Sequence, residues 1–228
     1  MLVLNIENLI GFTISAIVTL LVSRRLLKVY FERKEKTVGL FAGFIFCRFF
    51  VFTGFLLAPL IFLVSQSLVW SSVALSFAFL AIFISLVFPT LLFTSFKFEK
   101  LKNYYTGLII LLGIVGVFFI IAGFTPSQYV SAAGITVASV PQLSAMIYVL
   151  AKVLGVLPLS ILFLSQARSQ DRRIKTKSLL IGLGLLWVVT TIFVPKLIAV
   201  AAPLYFVGMY VCIGDILMFA GVRYRVTA

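Results

Sequence analysis

Three ionisable side chains interrupt long apolar runs: Arg48, Lys152 and Asp215. A charge at bilayer depth is costly. Where one persists it pairs, faces a water-filled cavity or serves a function. Arg48 lies 12 residues beyond Lys36, about 18 Å into its segment at 1.5 Å per helical residue. Asp215 lies 8 residues before Arg223, about 12 Å in. A long arginine side chain reaches across the remaining difference of about 6 Å. The spacing therefore allows an Arg48–Asp215 ion pair without requiring one; the two either fix how two helices pack or line a polar cavity. Lys152 lies 11 residues after Pro141, near the middle of its segment, with no second carboxylate at depth to match it. It is then uncharged, hydrated in a cavity, or matched by an anionic ligand. Tyr148 sits one turn earlier on the same helical face and either lines that site or packs beside it.

Other chemistry finds no support. The chain has no histidine, which removes histidine-ligated metals, bis-histidine haem and Ser-His dyads. Cys47, Cys212 and Asp215 form no metal-binding motif, and no Gly-rich phosphate loop has the Walker spacing. Cys212-Ile213-Gly214-Asp215 is similar to the GxGD stretch of intramembrane aspartyl proteases. It has cysteine in place of the first glycine, however, and no second intramembrane aspartate exists to complete an acid–base dyad. No enzymatic activity, metal or cofactor is expected.

These residues must be positioned by membrane helices. Of 228 residues, 63% are apolar and 11% charged, against about 45–50% and about 25% in soluble domains. Apolar runs of this length are spanning helices, because isolated strands leave backbone groups unsatisfied in lipid. Residues 49–96 carry no charge and as one helix would be about 72 Å long, so they break at Ser65-Gln66-Ser67, with Trp70 at the interface. The uncharged stretch 103–151 breaks between Thr125 and Pro141, and the stretch 178–222 near Pro195-Lys196. The expectation is an all-α polytopic bundle, one transmembrane domain with seven spans at about 8–29, 38–64, 72–96, 104–124, 141–166, 179–195 and 199–222. The first stretch lacks a cleavage site and is expected to remain as a span.

The net charge of +13 is spread as membrane proteins spread it. Tracts 24–37, 97–102 and 168–177, with Arg223 and Arg225, place sixteen of the 19 cations on one side, and the opposite loops hold only Lys196. The positive-inside rule puts the N-terminus outside and the C-terminus in the cytoplasm, in a cell membrane. The expected partners are the lipid bilayer, anionic headgroups at the basic tracts, and a membrane or cytoplasmic protein, but not nucleic acid. The tract 24–36 reads as a continuation of the first helix with Glu32 and Lys36 as an i,i+4 pair. Gly39 and Gly43 form a GxxxG, a signal for close helix packing. Pro59, Pro89 and Pro158 should kink their helices. The Phe-rich run Phe41 to Phe55 should face lipid and neighbouring helices rather than form a ligand cage.

Seven spans with this orientation invite comparison with microbial rhodopsins, but the seventh span has no lysine and the third no carboxylate. Pro141-Gln142 opens the fifth span where the second repeat of PQ-loop and SWEET transporters begins, yet the first span has no Pro-Gln. The topology resembles the seven-helix sensor modules that precede bacterial signalling domains. No output domain follows here, so a signal would pass to a separate protein. The expected function is a receptor- or sensor-like bundle binding a small polar or anionic ligand at Arg48, Lys152, Asp215 and Tyr148. The alternatives are a small-solute transporter with a midplane site and an assembly subunit of a larger membrane complex.

Overall fold

The computed structural model describes residues 2–4, 6–65, 67–122, 128–130, 135–138, 142–191 and 206–223. These form seven α-helices: α1 (Ile6–Arg33), α2 (Lys36–Ser65), α3 (Leu68–Lys97), α4 (Lys102–Ala122), α5 (Gln142–Gln166), α6 (Arg172–Thr190) and α7 (Phe206–Arg223). Five of them, α1 to α5, are long and apolar enough to cross a membrane. The expected boundaries of these five hold within a few residues. The expected sixth span begins too late: α6 starts at Arg172 because Asp171 caps it, accepting from the Arg173 and Ile174 N–H groups at 2.7 and 3.4 Å. The expected break near Pro195-Lys196 lies outside the described residues.

The break between the second and third segments falls where expected. Ser67 caps α3 by accepting from the Trp70 N–H at 3.5 Å, and Trp70 is 63% exposed. The Glu32–Lys36 pair does not form. α1 ends at Arg33, and Lys34 adopts φ 54 with its N–H on the Tyr30 carbonyl at 2.7 Å, a left-handed helix stop. The chain turns there, and Glu32 and Glu35 face Lys28 and Arg33 at 4.0 and 3.7 Å instead. Pro59, Pro89 and Pro158 lie inside continuous helices.

One element went unread in the sequence. Strands β1 (Leu2–Leu4), β2 (Gln128–Val130) and β3 (Ile135–Ala138) make a small antiparallel sheet in the order β1-β3-β2, with Val3 opposite Val137 and Tyr129 opposite Thr136. It ties the chain ahead of α1 to the connection between α4 and α5.

Consecutive contacts α1–α2, α2–α3, α3–α5, α5–α6, α6–α7 and α7–α1 close six helices into a ring, and α4 packs outside against α3 and α5. Backbones come closest at small residues. A Cβ on Gly184 would stand 2.7 Å from the Gly214 carbonyl oxygen, and one on Gly54 2.7 Å from Ala78 Cβ. Gly39 and Gly43 do not serve a helix–helix crossing of that kind, since they seat the Tyr30 and Phe88 rings. Two apolar clusters fill the ring. One is built on Phe44, Ile45, Leu86, Leu159, Leu185 and Met218, the other on Phe12, Val51, Phe52, Phe55, Leu75 and Phe79. The outer faces carry exposed apolar side chains such as Ile114, Phe118 and Ile161, the surface a bilayer covers.

Candidate functional site

The polar centre lies where the two apolar clusters meet. On α2, Arg48 sits one residue-turn from Phe44 of the first cluster and from Phe52 of the second, and Tyr148 of α5 packs against both clusters. Arg48 Nε stands 2.6 Å from Asp215 Oδ1 on α7, with the arginine 7% and the aspartate 0% exposed. The pair that the spacing allows is therefore formed and dry. The guanidinium carbon lies 5.6 and 5.5 Å from the ring centres of Phe44 and Phe52, one on each side. The phenylalanine run thus does more than face lipid and neighbours. Two of its rings sandwich the arginine, where a desolvated cation gains most from aromatic faces.

Asp215 is positioned by α7, and α7 by its neighbours. Cys212, one turn before Asp215, lies with Sγ 2.8 Å from Ser15 Oγ, and the Ser15 hydroxyl donates to the Gly11 carbonyl at 2.8 Å. On the other side Trp187 Nε1–H donates to the Tyr210 carbonyl at 2.7 Å, and their rings lie tilted by 31° with centres 4.5 Å apart. The close Gly184–Gly214 approach locks α6 onto α7 within one residue of the aspartate. Gly184 and Gly214 are glycine because each other's carbonyl oxygen stands where a Cβ would go.

Lys152 is 4% exposed and has partners of another kind. Its ammonium donates to the Tyr148 hydroxyl at 3.0 Å and to Thr191 Oγ1 at 2.6 Å. It also lies 5.2 Å from the Tyr148 ring centre. The Thr191 hydroxyl in turn donates to the Val188 carbonyl at 2.7 Å. Tyr148 is held edge-on by Phe79 and Phe83, with ring centres 6.4 and 6.3 Å away. The four expected residues thus form two directly bonded pairs, Arg48 with Asp215 and Tyr148 with Lys152.

No protein-family model, curated protein or solved structure matches this chain. The site's meaning rests on its own chemistry. Among the described residues the buried charged side chains are Arg48, Lys152 and Asp215, two cations facing one carboxylate. Thr191, Ser15 and the two flanking phenylalanines escaped the sequence reading. Thr191 caps the end of α6, and only the packing of α6 on α5 brings it to Lys152. Phe44 and Phe52, at i−4 and i+4 from Arg48, carried a usable signal in their helical spacing.

Proposed function

We infer that the protein is a seven-helix, multi-pass membrane receptor or sensor, without enzymatic activity, that binds a small polar or anionic ligand at Lys152. Tyr148 and Thr191 supply hydroxyls beside the ligand, and the Arg48–Asp215 pair forms one wall. The observation that carries this reading is the charge imbalance. Among the described residues Asp215 is the buried carboxylate and it meets Arg48, while Lys152 meets the hydroxyls of Tyr148 and Thr191. An anion entering there would match the remaining cation in surroundings where electrostatic attraction is little screened.

In this reading α6 and α7 are the sixth and seventh spans. The N-terminus is outside and the C-terminus cytoplasmic, in the plasma membrane. The gathering of the basic tracts at one end of the helix ring supports this orientation. A ligand that draws Lys152 away from Thr191 would release the end of α6. Through Trp187, Tyr210 and the Gly184–Gly214 contact that motion would reach α7 and the basic turn ahead of α6, where a cytoplasmic partner reads it.

Calorimetric titration of the purified chain with chloride, inorganic phosphate, acetate and succinate tests the reading. One of these small anions is expected to bind once per chain, and Lys152→Met is expected to abolish the binding. Binding that survives Lys152→Met would move the site away from that residue, and no binding by any of the four would argue for the assembly-subunit reading. Accumulation of the bound anion in sealed vesicles would instead identify a transporter. Orientation is checked separately with Gln170→Cys, which a membrane-impermeant maleimide should label only from the cytoplasmic face.

A further inference from the structure

The turn between α5 and α6 and the first turns of α6 frame an open groove of about 560 Å³. Arg168, Arg172 and Lys175 line it, with the hydroxyls of Ser169 and Thr176, and Leu179. All three cations are exposed, and among the described residues none forms an ion pair with a carboxylate. The nearby acid, Asp171, directs its carboxylate at the N–H groups of Arg173 and Ile174 and does not line the groove. Ser169 Oγ accepts from the Asp171 N–H at 3.2 Å, which leaves its hydroxyl proton to donate. Gln170 also lines the groove, and the Thr176 hydroxyl already donates to the Arg172 carbonyl at 2.9 Å, so the groove is a set of three cations with no carboxylate among its lining residues.

Its place in the fold selects the occupant. α5, one of the helices able to cross a membrane, ends at Gln166 just before the groove. Leu179 lies seven residues along α6 from Arg172, about 10 Å further toward the middle of the bundle. Leu179 and Ile174 are exposed apolar side chains on the same helix. One end of the groove therefore offers cations and the other meets the apolar band. We propose that the groove is a binding site for the phosphodiester headgroup of an anionic phospholipid, with its acyl chains against the Leu179 side. Arginine forks match phosphate oxygens in pairs, and a lysine adds a point charge. Free phosphate shares the headgroup chemistry but leaves the apolar end of the groove unused. The proposal rests on the membrane placement of α5 and not on any ligand at Lys152.

Native mass spectrometry of the full chain released from nanodiscs tests it, with phosphatidylglycerol against phosphatidylcholine as probes. The wild type should retain one phosphatidylglycerol and release phosphatidylcholine. Arg168→Gln/Arg172→Gln/Lys175→Gln should weaken retention roughly 100-fold, since each juxtamembrane cation contributes about fivefold. Lys97→Gln/Lys100→Gln/Lys102→Gln removes the same charge from another tract and should change retention less than about threefold. Equal losses in the two triple variants would show diffuse attraction and overturn the site, as would unchanged retention in the first. Displacement of the lipid by glycerol phosphate at equal concentration would show a soluble phosphate as the true occupant and overturn the lipid assignment.

Discussion

Arg48 and Lys152 are both buried cations, yet their partners differ in kind. Arg48 meets a carboxylate at 2.6 Å and two phenyl rings, so the fold itself brings the matching charge. Lys152 meets a tyrosine and a threonine hydroxyl, and among the described residues it forms no ion pair with a carboxylate. In the proposed reading, the difference separates a charge held for packing from a charge held for a ligand. The pair bridges α2 and α7, two helices of a closed ring. The lysine bridges α5 to the end of α6, where a single hydroxyl can let go.

The largest effect should come from breaking the pair on one side. Arg48→Met strands Asp215 in an apolar setting and should cost about 3–5 kcal/mol in a denaturant titration of the detergent-solubilised protein. Adding Asp215→Leu should recover much of that loss, with a coupling of about 2–3 kcal/mol in the double-mutant cycle. Independent losses would mean that the two side chains do not act as a unit. Next comes the crossing that sets the depth of Asp215. Gly214→Val places a Cβ 2.9 Å from the Gly184 carbonyl oxygen and should cost about 1–3 kcal/mol. Gly107→Ala, with nothing within 4 Å, should be neutral or slightly stabilising by the same assay.

Smaller effects belong to the lysine. Thr191→Val removes a hydroxyl partner on a neighbouring helix and should cost about 0.6 and at most about 1.7 kcal/mol, and Tyr148→Phe, which removes a partner within α5, about 0.5–1.5 kcal/mol. Lys152→Met should change unliganded stability by less than about 1 kcal/mol, because an apolar side chain of similar length replaces an expensive cation. In that background Thr191→Val should no longer cost anything. A persisting cost would place the importance of Thr191 in its bond to the Val188 carbonyl rather than in the lysine.

Much of the centre is legible in the sequence, for physical reasons that also mark the limit. Arg48 and Asp215 can be paired because both are measured from basic anchors at one end of the bundle, and helical rise converts residue counts to depth. Tyr148 and Lys152 follow from their i,i+4 spacing. Thr191 is not legible, because its contact with Lys152 joins positions 39 apart on two helices, and the spacing within either helix does not announce it. The Glu32–Lys36 pair fails because a lysine in a left-handed conformation ends α1, and nothing in the charge spacing announces that turn. The three-stranded sheet is invisible because its strands are three or four residues long and β1 pairs across more than 130 positions of chain, from Val3 to Val137. The short local patterns that identify helices carry no such information.

The account's central claim is that the unmatched cation, not the ion pair, holds the ligand. The most direct measurement is a side-by-side anion titration, by calorimetry, of the wild type, Lys152→Met and Arg48→Met/Asp215→Leu. The account predicts that the variant lacking the pair still binds the anion recognised by the wild type, within about tenfold, while Lys152→Met does not bind it. Loss of binding in the pair variant with retention in Lys152→Met would contradict the claim and move the site to Arg48.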